Sequence, residues 1–310
     1  MTIIITVDIG GTQMRAAAFQ RGSIEPVDMR RTPTMGEGSA FERLCVLVQS
    51  IWPEHRSVEK IVVALPGPLN PETGVIYSAP NIPGWDNFPI GTELEKRFGV
   101  PVRIGNDANL AALGEWRFGA GQGHHHLLYL TISTGIGGGV ISDGRLLLGA
   151  QGLAGEVGHI TVLPDGPMCG CGQRGHLEAL ASGPAIVRYV EEQIAAGTPS
   201  LLKELGKITA RDVSEAAGQG DELSIHALSR AGAFIGDALA SLVHLFNPTA
   251  VIFGGGVSFS GDFLLKHVKE SLNKNLMDQS YLRDLTIAQA ALGDNAGLMG
   301  ALALGLLPDN

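Results

Sequence analysis

A short glycine turn near the start of the chain has the residue types that bind phosphate. The run Asp8-Ile9-Gly10-Gly11-Thr12 lies between two strand-like stretches, so the sequence predicts a β-hairpin. Because Gly10 and Gly11 lack a Cβ, the N–H groups of the turn can approach an anion closely. Asp8 could hold Mg²⁺ through water, and the Thr12 hydroxyl could donate to a phosphoryl oxygen. An ordinary hairpin tip would show the same residues, and the run alone does not separate the two interpretations.

Two more strand-then-glycine loops occur further along the chain. One contains Thr134, Gly135, Gly137 and Gly138, and the other contains Gly254, Gly255 and Gly256. Three such loops suggest one nucleotide held between two halves of the protein. The sequence has no Gly-x-x-x-x-Gly-Lys-Ser/Thr, which excludes a P-loop, and Val140 occupies the place of the third glycine of a dinucleotide-binding motif.

Asn106 and Asp107 mark the end of a predicted strand and the start of a predicted helix. The carboxyl ends of strands are where ligands bind in α/β sheets, and the helix dipole keeps a carboxylate at this position ionised. Asp107 could accept the proton of an attacking hydroxyl. The alternative is that Asp107 only caps the helix.

Four polar residues near glycine-rich loops have the groups that bind the hydroxyls of a sugar. They are Asn81, Glu156, His159 and Glu178. Carboxylates, amides and imidazoles can each make paired hydrogen bonds with neighbouring hydroxyls. Each residue, taken singly, could instead be a solvated surface residue.

Two cysteines and two histidines have the spacing of a zinc site. Cys169 and Cys171 lie two residues apart among glycines, with His159 upstream and His176 downstream. These four side chains predict a closed, tetrahedral, structural zinc site. The alternative is a loop with two free thiols.

Apolar periodicity predicts alternating strands and helices along the chain. Strands are predicted at 3–7, 13–19, 60–65, 101–104, 127–140 (broken by the Thr134 loop), 250–253 and 285–288. Helices are predicted at 39–51, 91–98, from Asp107, at 183–196, 209–217, 222–246, 262–275 and 295–306. The alternation predicts an α/β protein with two lobes. We expect a small lobe of residues 1–108 with the C-terminal helix 295–310, and a large lobe of residues 109–294 that carries the zinc loop.

The composition excludes several classes of protein. The 310 residues carry a net charge of −9 without a block of lysine and arginine, which argues against nucleic acid and anionic membranes as partners. No apolar run reaches the length of a membrane span, and residues 3–7 begin a strand where a signal peptide would lie. Three cysteines do not make a disulfide framework, so the sequence predicts a cytoplasmic protein.

These motifs together resemble the ROK family of sugar kinases and repressors, within the actin-like and hexokinase ATPase superfamily. The resemblance covers essentially the whole chain and is most specific at Gly155-Glu156-Val157-Gly158-His159 and at Cys169-Gly170-Cys171-Gly172-Gln173-Arg174-Gly175 with Leu177-Glu178. It implies a two-lobed actin-like ATPase (ribonuclease H-like) fold with a cleft between the lobes, Mg-ATP as phosphate donor, a structural zinc ion and a homo-oligomer, either dimer or tetramer.

The resemblance also implies a role for each matched residue. Asp107 would be the catalytic base. The sugar would be bound by Asn81, Asn106, Glu156, His159 and Glu178, and His159 would also be a zinc ligand. One position departs from the family pattern, since His176 stands where a third cysteine is usual. Histidine can replace cysteine as a ligand, but a site with two thiolates is one charge less negative than a site with three.

The preferred sugar is predicted from two stretches that look similar to the glucokinase branch, 81–85 and 114–121. The expected reaction is phosphorylation of glucose at its primary 6-hydroxyl, with N-acetylmannosamine or another hexose or aminosugar as the alternative substrate. Polyphosphate in place of ATP stays open. The non-enzyme alternatives are a sugar-sensing regulator and an actin-like or chaperone-like ATPase without a small substrate.

Overall fold

The computed structural model describes residues 2–79 and 82–308. The elements of the first part are β1 (Ile3–Ile9), β2 (Gln13–Gln20), β3 (Pro26–Pro33), α1 (Ala40–Ser50), β4 (Val58–Leu65), β5 (Leu69–Asn70), β6 (Val75–Ile76), α2 (Ile90–Phe98), β7 (Val102–Asn106) and α3 (Asp107–Phe118). The elements of the second part are β8 (Leu127–Ile132), β9 (Ile136–Ser142), β10 (Arg145–Leu146), α4 (Leu177–Ala181), α5 (Gly183–Ala195), α6 (Ala210–Gly218), α7 (Glu222–Phe246), β11 (Ala250–Gly254), α8 (Asp262–Asn275), β12 (Thr286–Gln289) and α9 (Ala296–Leu306). Short 3₁₀ turns occur at Val157–His159, Gly256–Ser260, Gln279–Leu282 and Gly293–Asn295.

Two five-stranded sheets have the same strand order. The first runs β3-β2-β1-β4-β7 and the second β10-β9-β8-β11-β12. In each, the leading strand pairs antiparallel with the next strand of the chain and parallel with a later one. The sheet order therefore occurs twice, and each copy begins with a hairpin whose tip is one of the first two glycine turns.

Both faces of the first sheet are covered. Ile3, Ile5 and Val7 of β1 pack in the core that includes residues of α1 and α2, whereas Ile4 packs in the core that includes α9. This alternation explains why β1 is a run of β-branched residues without a polar face. The second sheet is arranged in the same way. Leu128 and Leu130 of β8 lie in the core of α4 to α8, whereas Tyr129 lies in the same core as Ile4 and α9.

Helices α3 and α9 lie between the two sheets and touch through glycine. A Cβ on Gly300 of α9 would lie 1.9 Å from the carbonyl oxygen of Leu110, and a Cβ on Gly114 of α3 would lie 2.8 Å from the backbone nitrogen of Gly300. The backbones approach this closely only because both residues lack side chains. Since α3 begins at Asp107, its position is fixed by this crossing.

Most predicted elements are confirmed, including the N-cap of α1, where Ser39 and Glu42 form a capping box. The prediction missed β3, β5, β6, β10 and α4. Strand β3 lies at a sheet edge and is largely exposed, so its sequence lacks an alternating apolar pattern. No helix in the described ranges has both the length and the apolar character needed to span a membrane.

Candidate active site

A threonine that the sequence analysis missed supports the backbone of the first glycine turn. The N–H of Gly10 donates to the carbonyl of Gln13 at 2.9 Å, which closes the hairpin, while Gly11 and Thr12 are exposed at its tip. Thr34 is fully buried beneath them. Its hydroxyl donates to the carbonyl of Gly10 at 2.6 Å, and its N–H donates to the carbonyl of Thr12 at 2.9 Å. The turn is therefore ordered without using the N–H groups of Gly11 and Thr12.

Asp8 lies at the carboxyl end of β1, directly before this turn. Its carboxylate forms an ion pair with Arg15, the residue opposite it on β2, and both side chains are largely buried. An ionised, partly buried carboxylate beside a phosphate-binding turn is suited to hold Mg²⁺ through water. The role predicted for Asp8 stays a prediction.

The second glycine turn is Ser133–Gly135, between β8 and β9. The N–H of Ser133 donates to the carbonyl of Gly135 at 2.9 Å, and Thr134 is exposed at the tip. Gly137 and Gly138, which were predicted to contact ATP, lie within β9. A Cβ on Gly137 would lie 2.9 Å from Cβ of Ala108, and one on Gly138 would lie 2.6 Å from Cγ2 of Val157. Their lack of side chains lets β9 pack closely against neighbouring elements, and a contact with ATP remains a prediction for both.

The third glycine loop, Gly254–Gly256, follows β11. Gly255 has a φ of +79° and its Cβ would lie 2.3 Å from the carbonyl oxygen of Ile132, so only glycine fits there. Gly256 is exposed, with open space around its Cα. The loop therefore brings Gly256 next to the second turn.

A cavity of about 1030 Å³ connects the second turn with the third loop. Its walls include Ser133, Thr134 and Gly256, which belong to those loops. Residues of α5, of α6 with the segment before it, and of the 3₁₀ turn Gly256–Ser260 complete it, namely Gly183, Pro184, Val187, Arg188, Glu191, Lys207, Ile208, Thr209, Ala210, Arg211, Ser214, Glu215, Val257 and Phe259. The volume is that of a site for a small-molecule cofactor. The sequence analysis missed the residues from α5 and α6, because they follow no glycine motif.

Asp107 is the first residue of α3 and is largely removed from solvent. Burial, together with the negative charges of Asp8 and Glu156, raises the pKa of Asp107 to about 7. Asp8 and Glu156 are therefore near enough for their charges to act on the carboxyl group of Asp107. A carboxyl group with a pKa near 7 is suited to take up and release a proton at neutral pH.

Asn106, and not Asp107, is the N-cap of α3. Its Oδ1 accepts from the N–H of Ala108 at 3.0 Å and of Asn109 at 3.1 Å, and its Nδ2 donates to the carbonyl of Gly67 at 3.3 Å. Asp107 also accepts from the N–H of Ala108, at 2.8 Å through Oδ1. Because Asn106 already caps the helix, capping is not needed to explain the presence of Asp107.

Asn109 of α3 is another residue that the sequence analysis missed. Its side chain is buried, its Nδ2 donates to the carbonyl of Ala154 at 3.4 Å, and its Oδ1 has no partner. The Oδ1 would lie 3.2 Å from a Cβ on Gly155, which has a φ of +94°. Asn109 thus ties α3 to the backbone just before Glu156 and brings that carboxylate toward Asp107.

His159 lies between Glu156 and the cysteines. Its Nε2 is 4.0 Å from Oε2 of Glu156, and its Nδ1 is 3.7 Å from Sγ of Cys169. The two ring nitrogens therefore face different groups. One nitrogen can bind a metal while the other faces Glu156, and both roles of His159 stay predictions.

The predicted zinc ligands are brought together. One ligand atom from each of His159, Cys169, Cys171 and His176 lies within 4.8 Å of all the others, and Nδ1 of His176 is 3.3 Å from Sγ of Cys171. Ligands at about 2.3 Å (S) and 2.0 Å (N) from a tetrahedral zinc are about 3.5 Å apart. Sulfur-to-nitrogen distances of 3.3 and 3.7 Å bracket that value, so the residues present fit zinc.

Two predicted sugar-site residues remain. Glu178 is the second residue of α4 and is partly buried, with Oε2 accepting from the N–H of Ile136 at 2.9 Å. Asn81 lies outside the described residues. Its neighbours Ile82 and Trp85 are buried in the core of the first sheet.

Comparison with known proteins agrees with this geometry. The sequence profile of the ROK family matches residues 4–306. The chain is 35% identical to the glucokinase of Thermotoga maritima over 97% of this chain and 96% of that protein. It is 38% identical to a ROK family glucokinase from Streptomyces griseus in complex with glucose and AMPPNP, with a TM-score of 0.82 and coverage of 97% and 98%. A ROK family transcriptional regulator, a homologue of the Escherichia coli MLC protein, gives a TM-score of 0.89 at 29% identity, and 77% of its chain is covered.

The predicted two-lobed actin-like ATPase fold is thereby confirmed, and so is the family resemblance drawn from the glycine, Glu156–His159 and cysteine motifs. The duplicated sheet order, the paired glycine turns and the match over nearly the whole sequence lead to one assignment: the chain belongs to the ROK family.

Proposed function

We propose that this protein is an ATP-dependent glucokinase that transfers the γ-phosphoryl group of ATP to the 6-hydroxyl of glucose. The observation that carries the proposal is the position of Asp107, a largely buried carboxyl group with a pKa of about 7. The relatives with the same full-length architecture support it, since one of them was crystallised with glucose and an ATP analogue.

Asp107 acts as the general base. Its carboxylate accepts the proton of the 6-hydroxyl while that oxygen forms a bond to the γ-phosphorus and the bond from phosphorus to the β-γ bridging oxygen breaks, which releases ADP. Phosphoryl transfer depends mainly on position and on neutralisation of charge. The first two turns supply N–H groups from Gly11, Thr12, Thr134 and Gly135 for the phosphates, while the N–H of Gly10 closes the first hairpin. Asp8 would hold Mg²⁺ through water, and bound Mg²⁺ neutralises phosphate charge.

The cavity beside Gly254, Gly255 and Gly256 would receive the adenosine. Glu156, His159, Glu178, Asn106 and Asn81 would bind the sugar hydroxyls, with His159 using the ring nitrogen that faces Glu156. A zinc ion bound by His159, Cys169, Cys171 and His176 would be structural, since a closed set of four protein ligands holds no open position for substrate.

Several sequence-based expectations stay proposals of the same kind. We propose the division into lobes of residues 1–108 with 295–310 and of residues 109–294, a homo-oligomer (dimer or tetramer), a cytoplasmic location and the lack of a nucleic-acid partner.

The test is ADP release from Mg-ATP, measured with glucose, mannose, fructose, N-acetylglucosamine and N-acetylmannosamine. We expect the highest kcat/KM with glucose and a product phosphorylated on the primary hydroxyl. Turnover of N-acetylmannosamine alone would keep the reaction and contradict glucose as substrate. Binding of a sugar without ADP release would favour a sugar-sensing regulator, and ADP release that does not depend on sugar would favour an ATPase without a small substrate.

A further inference from the structure

The side chain of Glu178 makes a direct hydrogen bond beside the second glycine turn. Binding a sugar does not require this contact. Its Oε2 accepts from the N–H of Ile136, the first residue after the Ser133–Gly135 turn, at 2.9 Å. A Cβ on Gly135 would lie 2.5 Å from the same oxygen. The carboxylate therefore lies directly over the turn, and glycine at position 135 makes room for it. The φ of Gly135 is not in the left-handed region, so contact with Glu178, and not backbone conformation, is what a side chain at position 135 would disturb.

The segment that carries Glu178 also contacts the other end of the turn through its backbone. The N–H of Gly183 donates to the carbonyl of Ser133 at 2.8 Å, and the N–H of Ser182 donates to the carbonyl of Glu178 at 3.2 Å. The turn is thus held at Ile136 by the side chain of Glu178 and at Ser133 by the backbone of Gly183. Gly183, Ser133 and Thr134 all line the large cavity.

The second oxygen of Glu178 faces the cysteine and histidine cluster. Its Oε1 is 3.7 Å from Sγ of Cys169, and the N–H of Leu177 donates to the carbonyl of Ile160 at 3.0 Å. One carboxylate therefore spans from the predicted zinc ligands to the predicted phosphate turn.

We propose that Glu178 is a positioning residue for the nucleotide, which fixes the Ser133–Gly135 turn against the cysteine and histidine cluster. The inference rests on the proposed function in taking this turn as part of the nucleotide site. Because Glu178 occupies the N–H of Ile136, phosphate oxygens meet the Thr134 and Gly135 groups in a turn that is already ordered. Order before binding reduces the entropy lost on binding.

The test is calorimetric binding of Mg-AMPPNP without glucose to the wild-type protein and to Glu178→Ala, Glu178→Gln and Glu54→Ala. Glutamine keeps an oxygen that can accept from Ile136, whereas alanine does not. We expect Glu178→Ala to weaken AMPPNP binding at least about tenfold, which is about 1.4 kcal/mol, and Glu178→Gln to stay within about threefold of wild type. Glu54 has an 89% exposed side chain, and Glu54→Ala should bind as wild type. AMPPNP affinity in Glu178→Ala equal to or tighter than wild type would overturn the proposal, since a residue that only binds sugar has no effect in this experiment.

A double-mutant cycle with Gly135→Ala tests the contact itself, and it remains informative if a single variant is poorly stable. We expect Gly135→Ala to weaken AMPPNP binding in the wild-type background and to have a smaller effect in the Glu178→Ala background, because the methyl group then has space. Additive effects would contradict the contact. Glucose turnover by the wild-type protein tests the proposed function separately, and a protein that binds AMPPNP but does not phosphorylate glucose leaves the comparison of variants valid.

Discussion

The carboxylate of Asp8 lies against the first turn of α9, where Gly297 makes room for it. A Cβ on Gly297 would lie 2.6 Å from both Cγ and Oδ1 of Asp8. The positive end of a helix dipole favours an ionised carboxylate. The crossing of α3 and α9 therefore fixes the predicted base and the predicted magnesium-binding carboxylate together, since α3 begins with Asp107 and α9 begins beside Asp8.

Gly297→Ala should displace Asp8 from this position. Because the new methyl group overlaps the carboxylate, we expect kcat with glucose to fall at least about tenfold, accompanied by a loss of about 1–3 kcal/mol in the free energy of unfolding. Gly218→Ala is the matched control, because it also lies in a helix and has no neighbour within 4 Å of its Cβ position. Steady-state kinetics and urea unfolding of both variants provide the check. Wild-type kcat in Gly297→Ala would contradict the role of this contact.

Asp107→Asn should remove the base and leave sugar binding partly intact. General base catalysis contributes about 10²–10⁴-fold to a rate, so we expect kcat to fall by at least about a hundredfold while the Kd for glucose changes only a few-fold. Single-turnover kinetics and calorimetry measure the two quantities separately. A variant with more than about a tenth of the wild-type kcat would contradict the assignment of Asp107 as the base.

The raised pKa of Asp107 also predicts how stability depends on pH. Burial raises this pKa from 3.8 to about 7, so the folded protein binds the proton more tightly than the unfolded chain does. The resulting stabilisation is complete below pH 3.8 and is lost as the pH rises to about 7. The loss is about 4 kcal/mol at most, and water reaching the carboxyl group reduces it.

Asp107→Asn removes this dependence. Relative to wild type, the variant should therefore gain stability between about pH 4 and pH 7 and keep a constant difference above that range. Urea unfolding of both proteins at pH 5 and pH 8 measures the change, and the other acidic groups cancel in the comparison. A difference in unfolding free energy that is the same at both values would show that the pKa of Asp107 is not raised.

How much of the site could be predicted depended on how local each interaction is. The glycine turns, Asp107 and the zinc ligands lie in short motifs, and their spacing indicates their chemistry. Thr34 supports Gly10 from 24 residues away, in a stretch with no periodic pattern. The cavity residues of α5 and α6 gain their role only from packing beside the Ser133–Gly135 turn and the 3₁₀ turn that follows β11.

Glu115 also has interactions that the sequence could not predict, although it lies in a stretch that the sequence analysis identified. From the sequence, the stretch 114–121 indicates only a similarity to the glucokinase branch. In the structure, Glu115 is fully buried and its carboxylate accepts from the N–H groups of Ala120, Ala291 and Leu292 at 2.8 to 3.0 Å. Two of these partners are 176 and 177 residues away. Because these partners are backbone N–H groups far away in the sequence, no residue type marks the interaction.

His176→Ala should lower the zinc content of the purified protein. We expect about one zinc per chain in the wild type and a clear loss in this variant, because three ligands bind zinc less tightly than four. His176→Cys should retain zinc, since thiolate is also a zinc ligand. The side chain of His55 is 92% exposed, so His55→Ala is the matched control. Plasma mass spectrometry measures the metal, and an unchanged zinc content in His176→Ala would remove His176 from the ligand set.

The position of α9 has a consequence for biosynthesis. The face of the first sheet formed by Ile4, Ala17, Phe19, Val62 and Ala64 packs in one core with residues of α9. The ribosome makes α9 after every strand of both sheets, so this apolar face lacks one of the two helices of its core, α3 and α9, during most of translation. Nascent chains that stop before α9 should therefore be more prone to aggregate than the released protein, and they are the form on which a chaperone would act.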